Sequence, residues 1–329
     1  MSASVPGNVG IVVIGRNEGE RLKRCFVSLG ETAGQVVYVD SGSTDTSVAM
    51  ARQMGVEVVE LDMRLPITAA RARNAGFRRL RELAPDLVYA QFVDGDCEVV
   101  AGWIEKAVAW LGEHPEVTVV CGRRRERYPE RSIYNMLCDI EWDTPVGEAK
   151  ACGGDALMRS GAFESVNGYR AELIAGEEPE LCVRLRSAGG RIWRLDREMT
   201  LHDAAMTRFG QWWTRNLRGG YAYAQGADLH GARPERYCVR ESRSIWFWAL
   251  GVPAGVSGLA FWWGAWALVL LLIYPLQVVR LAARGGRSAR ENWWRAAFLV
   301  LGKFPELSGQ MKFLFHRHLG GMPRLIEYK

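Results

Sequence analysis

Asp94 and Asp96 flank Gly95 at the end of an apolar stretch, Leu87–Asp94, that reads as a strand. Two carboxylates this close repel, and beside a core they cost free energy unless a cation joins them. A solvated Asp-Gly turn would account for the pair alone. A strand-end Asp-x-Asp can also offer hard oxygen ligands to Mn2+ or Mg2+, and such an ion can bridge a diphosphate. Further along, Glu177 and Glu178 precede Pro179 and a helical stretch carrying Leu181, Val183 and Leu185. A carboxylate at a helix start is stabilised as an anion, which suits a base that takes a proton from a hydroxyl. Acidic residues also decorate helix starts without doing chemistry. His202, in LHDAAM, offers one nitrogen to the same metal, although a lone histidine is more often simply hydrogen-bonded.

Other residues suit ligand contact. Asp40 closes an apolar run and opens DSGSTD, where its carboxylate and the Ser41 hydroxyl can meet a nucleobase or ribose. Asp45 or Ser43 is the expected cap of the next helix, which leaves Asp40 freer to bind. Arg71 and Arg73 lie in RARNAG near a helix start, where guanidinium groups can grip phosphate oxygens or simply face solvent. The pair Gly153-Gly154 can let backbone approach a substrate. The first turn, IGRNEGERL, holds only Gly15 and Gly19, so the GxGxxG fingerprint of a dinucleotide-binding loop is missing.

The elements that must position these residues alternate regularly. Strands are expected at 10–15, 35–40, 56–61, 87–94 and 117–122, with helices at 18–29, 46–54, 68–83 and 102–111 between them. Repeated strand-helix-strand units imply a mostly parallel sheet with helices on both faces. Ligands collect at the carboxyl ends of such strands, where Asp40 and Asp94 both fall.

The last third differs. Ile245 to Val279 is thirty-five residues without a charge, too long for one straight membrane span and short for two full ones. Gly251, Pro253, Gly255 and Gly258 are expected to interrupt a helix in its first half. Arg240 and Arg243 precede the run and Arg280 and Arg284 follow it, so both ends should lie on one side of a membrane. A hairpin or re-entrant anchor over 245–279 follows, with an amphipathic segment at 293–304. A buried helix pair in a soluble domain is the alternative. The boundary is expected at 225, giving a catalytic domain over 1–225 and a membrane-associated helical region over 226–329.

The net charge of +5 on 329 residues is small, and no nucleic-acid partner is expected. Seven scattered cysteines, never spaced CxxC, disfavour a disulfide framework or a zinc knuckle. No signal peptide is read at the start, so the N-terminal part is expected in the cytosol. The basic run RRRER at 123–127 is expected to be a solvated face near the membrane.

In order, VVIGRNEGERL, VDSGSTD, RARNAG, FVDGD, GGDALM, NGY and GEEPELCVRLRSAGG resemble the GT-A-fold, inverting nucleotide-sugar glycosyltransferases of family 2, over Val9 to His202. The resemblance implies a Rossmann-like mixed α/β sheet and a metal-dependent enzyme using Mn2+ or Mg2+. Asp40 would contact the donor base, and Arg16, Asn17 and Glu18 would close over the nucleotide. Asp94 and Asp96 would position the metal-bound diphosphate, with His202 as a further ligand. Gly153, Gly154 and Asp155 would sit near the donor sugar and acceptor. Glu177-Glu178 replaces the family's usual Glu-Asp, which leaves open which of the two is the base. Gln211-Trp212-Trp213-Thr214-Arg215 does not fit QxxRW, so processive homopolymer synthesis is disfavoured. QWWTRNLRGGYAYAQG, the apolar run and the ending RLIEYK look like bacterial membrane-associated members linked to surface polysaccharide assembly. That implies a cytoplasmic-membrane enzyme meeting nucleotide sugars and a glycan or polyprenyl-linked acceptor. A sugar-nucleotide-forming nucleotidyltransferase and a non-catalytic membrane scaffold are the rival functions.

Overall fold

The computed structural model describes residues 8–30 and 36–320. The first seven of the N-terminal residues on which the leader reading rests, Gln35 of the second expected strand and the ending RLIEYK lie outside them; the apolar stretch of that reading is part of a sheet strand. The chain divides into two compact units, 1–128 with 138–204, and 129–137 with 205–329. The expected boundary at 225 falls inside a 22-residue helix, Phe209–His230. The division instead follows the end of the last sheet strand at His202.

In the first unit the order is β1 (Val9–Gly15), α1 (Glu20–Ser28), β2 (Val36–Asp40), α2 (Ser47–Gln53), β3 (Glu57–Glu60), α3 (Ala69–Leu83), β4 (Tyr89–Asp94), β5 (Cys97–Val99), α4 (Trp103–Glu113) and β6 (Val117–Glu126). There follow α5 (Ile133–Glu141), whose residues 133–137 belong to the second unit, then β7 (Gly147–Ala149), β8 (Ala156–Arg159), α6 (Ser160–Ser165), α7 (Glu177–Ser187) and β9 (Arg191–His202). Among the described residues the strands form one sheet in the order β3-β2-β1-β4-β8-β6-β9-β5, with β7 beside β9.

The half β3-β2-β1-β4 is parallel. Its central strands β1 and β2 are buried along nearly their whole length, which is why they read as continuous apolar runs rather than alternating ones. The other half is mixed, because β8 runs antiparallel to both β4 and β6. The chain moves from β1 outward to β2 and β3, then returns to place β4 on the other side of β1. That reversal opens a crevice at the carboxyl ends of β1 and β4, where Ile14 is in register with Asp94.

The strand expected to stop at Gly122 continues to Glu126, so RRRE belongs to the sheet. Successive residues of a strand alternate in direction. Arg125 is exposed and pairs with Glu198, whereas Arg124 turns inward. The expected solvated basic face is therefore corrected: Arg123, paired with Asp139 and Asp143, and Arg124, paired with Asp94, are both drawn into the protein, and the strand is irregular between them.

The second unit holds α8 (Phe209–His230), α9 (Val239–Trp246), α10 (Val252–Trp263), α11 (Ile273–Ala283), α12 (Ala289–Leu301) and α13 (Lys303–Leu319). Gln211, from the stretch that departs from QxxRW, accepts the N–H groups of Thr207 and Arg208 at the start of α8. Two helical runs are long and apolar enough to cross a membrane, Val239–Trp263 and Ala265–Ala283. The expected interruption near Pro253 does not break the first. A π-helical turn over Phe247–Gly251 lies just ahead of the proline, a local widening of the kind that accompanies a proline inside a continuous helix. The break comes at Gly264, whose φ of 77° and ψ of −174° suit glycine alone. The run is thus a helical hairpin. The expected amphipathic segment at 293–304 forms most of α12, opened by a Ser288–Glu291 capping box, and breaks at Gly302.

Candidate active site

At the carboxyl end of the sheet, Arg73 of α3 is the hub of a carboxylate cluster. It is buried, and the N-cap Thr68, whose hydroxyl accepts the Arg71 N–H, fixes the first turn that presents it. Arg73 Nη2 lies 2.8 Å from Asp94 Oδ1, and Nη1 lies 2.9 Å from both Glu177 Oε1 and Glu178 Oε1. Its side chain also lies over the Tyr169 ring. The second oxygen of Asp94 takes Arg124 Nη2 at 3.0 Å. Burial opposes the Asp94 anion, but Arg73 and Arg124 outweigh it and hold the carboxyl well below the usual range.

Glu178 behaves oppositely. Burial pushes its carboxyl up to about 7, the neighbouring Glu177 adds to the rise, and Arg73 only partly offsets it. The offset is incomplete because one guanidinium nitrogen serves two carboxylates. The Glu178 side chain is 15% exposed and that of Glu177 is 4% exposed, so Glu178 is the one a substrate can reach.

Asp96 and His202 form a second cluster, because β5 pairs antiparallel with β9 and sets Cys97 opposite His202. His202 Nε2 is 3.3 Å from Asp96 Oδ2. Its Nδ1 is buried without a hydrogen bond, 3.7 Å from Glu126 Oε2. Burial, then the Arg124 charge, lowers the imidazole pKa and favours the neutral ring a metal requires. One ligand atom each from Asp96, Cys97 and His202 lies within 4.8 Å of the others. Burial keeps Cys97 a thiol, which leaves a carboxylate and an imidazole, a mixed oxygen and nitrogen pair that suits Mn2+ better than the oxygen-seeking Mg2+. Asp94, expected as a third ligand, has both oxygens committed to arginines.

The expected donor loop is tied together internally. Asn17 takes a left-handed backbone with φ 55°, donates its N–H to Ser43 Oγ at 2.8 Å and accepts the Thr44 N–H at 2.7 Å. Glu18 pairs with Arg21, and Arg16 enters the same turn. Asp40, expected to be free for a base, is buried: Oδ1 accepts the Tyr38 hydroxyl, and Oδ2 accepts the N–H groups of Gly42 and Ser43. It shapes the turn that carries Ser41, while Asp45 accepts the Ser47 N–H at the next helix. Arg71 turns away and donates to the carbonyls of Asp62, Leu65 and Pro66. Gly95 packs its N–H on the Ile14 carbonyl. Asp155 is also buried; it accepts the Asp94 N–H and the Thr200 hydroxyl, so it holds Asp94 from behind.

Gly153 is open, but Gly154 is enclosed. A methyl group there would meet Arg73 Nη2 at 2.5 Å, Asp94 Oδ2 at 2.9 Å and Glu178 Oε1 at 3.1 Å. These atoms are locked by their ion pairs and cannot simply swing aside. Gly154→Ala is therefore expected to lower activity at this site about a hundredfold while leaving the circular dichroism spectrum intact; unchanged activity would show that the cluster tolerates displacement.

Sequence reasoning missed Arg124. It pairs with Asp94, lies over the Trp142 ring and approaches Asp155 at 3.5 Å. The signal was present in the strand alternation, which puts Arg124 and Glu126 opposite in direction to Arg125. Glu126, buried, accepts the N–H groups of Tyr128 and Ala204.

The mixed sheet with its switch-point crevice has the GT-A fold of nucleotide-diphospho-sugar transferases. Residues 10–163, somewhat less than half of the chain, match the family described as Glycosyl transferase family 2. The protein is 23% identical over 202 residues to glycosyltransferase AglE of Haloferax volcanii, covering 57% of this chain and 64% of the relative. It is 29% identical over 182 residues to the succinoglycan biosynthesis protein ExoA of Rhizobium meliloti, covering 52% and 54%. The chain thus spans somewhat more than half the length of these relatives. In fold it is similar to a mannosyltransferase of Pyrobaculum calidifontis solved with GDP-Man and Mn2+, with a TM-score of 0.64 at 17% identity over 94% of this chain and 88% of that one. It is also similar to S. aureus TarS 1–349 solved with UDP-GlcNAc, with a TM-score of 0.51 at 15% identity over 93% and 92%.

Proposed function

We propose that this protein transfers a sugar from a nucleoside-diphosphate donor to a hydroxyl acceptor with inversion at the anomeric carbon. The observation that carries this is Glu178: a reachable carboxyl pushed up to about 7 beside the carboxylate–guanidinium cluster at the strand ends. That value suits a general base at neutral pH. Asp96 and His202 would hold a divalent metal, and the ion, when bound, would neutralise charge on the departing diphosphate. The mannosyltransferase of similar fold, solved with Mn2+, supports a divalent ion, and the carboxylate–imidazole pair favours Mn2+ over Mg2+.

Glu178 accepts the proton of the acceptor hydroxyl. The oxygen then bonds to the anomeric carbon from the face opposite the diphosphate, and the bond to the diphosphate breaks. Arg73 keeps Glu178 and Asp94 in place, Gly154 leaves room beside them, and the loop at Arg16, Asn17 and Glu18 with Ser41 receives the nucleotide. Glu177, locked on Arg73, is a positioning residue.

The apolar hairpin would hold the enzyme at the cytoplasmic face of the inner membrane, where soluble donors and a polyprenyl-linked glycan acceptor meet. The relative named for succinoglycan biosynthesis supports a role in surface polysaccharide assembly. The experiment is a thermal-shift titration with nucleoside diphosphates, with and without Mn2+. Wild type should be stabilised by a nucleoside diphosphate only when Mn2+ is present, and Asp96→Asn should lose that synergy. Equal shifts in both proteins would reject the metal–diphosphate assignment.

A further inference from the structure

The hairpin has a packed base and a bare tip. At the base, Ile245 and Ala249 are buried with Leu307 of α13, and Tyr274 donates its hydroxyl to the Trp248 carbonyl across the two arms. Toward the tip the arms cover only each other, with Val256 and Ala267 buried while the large side chains face outward. Phe261, Trp262, Trp263 and Trp266 are 83%, 80%, 72% and 85% exposed around the reversal at Gly264. No charged residue lies between Ile245 and Val279, whereas Arg240, Arg243, Arg280 and Arg284 sit just outside both ends. A lipid environment is the occupant these features fit: apolar arms, basic residues at the base for anionic headgroups, aromatic residues at the tip.

Depth follows from length. The first arm, Ile245–Trp263, is helical throughout and reaches about 28 Å at ~1.5 Å per residue. The second is shorter in sequence, but Ala265–Leu272 is a 3-10 helix. At ~2.0 Å per residue there and ~1.5 Å over Ile273–Val279, it reaches about 26 Å. The stretched segment lets the two unequal arms end at nearly the same height. Both come close to the ~30 Å hydrocarbon thickness of a bilayer.

The tip chemistry selects between a crossing and a shallow dip. The indole N–H groups of Trp262, Trp263 and Trp266 have no hydrogen-bond partner among the described residues, and the carbonyls at a helix end also need partners. A tip halting at the bilayer centre would leave these groups unsatisfied in hydrocarbon. At the far headgroup layer they meet water and lipid carbonyls, the depth tryptophan prefers.

We propose that both arms cross the bilayer and that the aromatic tip rests in the headgroup layer on the side opposite the arginines. This rests on the membrane attachment proposed above and adds its depth and topology. The test uses the full chain in vesicles of phosphatidylethanolamine and phosphatidylglycerol at 3:1, with a nitroxide on Ala254→Cys in mid-arm or Ala265→Cys at the tip. Both native residues are exposed, and all seven native cysteines are buried, so wild type labelled in parallel gives the background. Collision rates with oxygen and with a nickel chelate report depth. The expected result is a maximum of depth at 254 and a return to headgroup depth at 265. Depth that increases from 254 to 265 would overturn the crossing and show a re-entrant hairpin. Free chelate access at both positions would overturn the crossing and the membrane attachment together, so the two failures are distinguishable.

Discussion

Glu178→Gln is expected to reduce sugar transfer about a thousandfold, within the range a positioned general base contributes, while the affinity for nucleoside diphosphate stays close to that of wild type. The amide keeps the shape and the contact with Arg73 but cannot take a proton. Glu177→Gln should cost much less in turnover, because Glu177 is locked on Arg73 and hardly accessible. If Glu177→Gln is instead the inactive variant, the assignment of the base is reversed. The pH profile supplies an independent readout. The Glu178 carboxyl is pushed up to about 7, and only its anion is a base, so kcat/KM for wild type should rise with pH and level off above about 7. In Glu178→Gln that limb should vanish. The sign for stability is opposite: a raised carboxyl pKa favours the folded state at acid pH, and this contribution is lost as pH rises through about 7.

The second large effect concerns Arg73. One buried guanidinium serves Asp94, Glu177 and Glu178, and Arg73→Met would leave three carboxyls gathered with only Arg124 near them. Removing one partner of a buried ion pair costs about 3–5 kcal/mol, much of it the penalty of the charge left behind. We expect a clear fall in the urea midpoint, and a partial rescue on lowering the pH as the stranded carboxylates take up protons. Arg73→Lys should recover little, since an ammonium cannot fork between three acceptors. An Arg73→Met variant as stable as wild type at neutral pH would mean the cluster contributes nothing to the fold.

Much of the parallel half of the sheet is legible in the chain. Runs such as Val9–Gly15 and Val36–Asp40 are buried on both faces and announce themselves by β-branched residues alone. The antiparallel insertion of β8 is not legible, because four residues between a glycine-rich loop and a short helix carry little periodicity. Within the site, Asp96 and His202 are found from sequence but meet only because β5 and β9 pair, a contact between residues 106 positions apart. Charge is the harder quantity. Arg71 and Arg73 look alike in RARNAG, yet one binds loop carbonyls at the surface and the other is the buried hub. Arg124 looks like one member of a solvated run. Asp40 looks available, and its own turn consumes it. In each case the partner is remote in sequence or lies in the backbone, where residue type gives no sign of it.

The most direct test is release of nucleoside diphosphate from a panel of nucleotide sugars in Mn2+ buffer, comparing wild type, Asp96→Asn and wild type with excess chelator. We predict that wild type consumes at least one donor and that both the variant and the chelated enzyme are silent. Turnover that persists undiminished in Asp96→Asn would contradict the metal-assisted transfer proposed for this site.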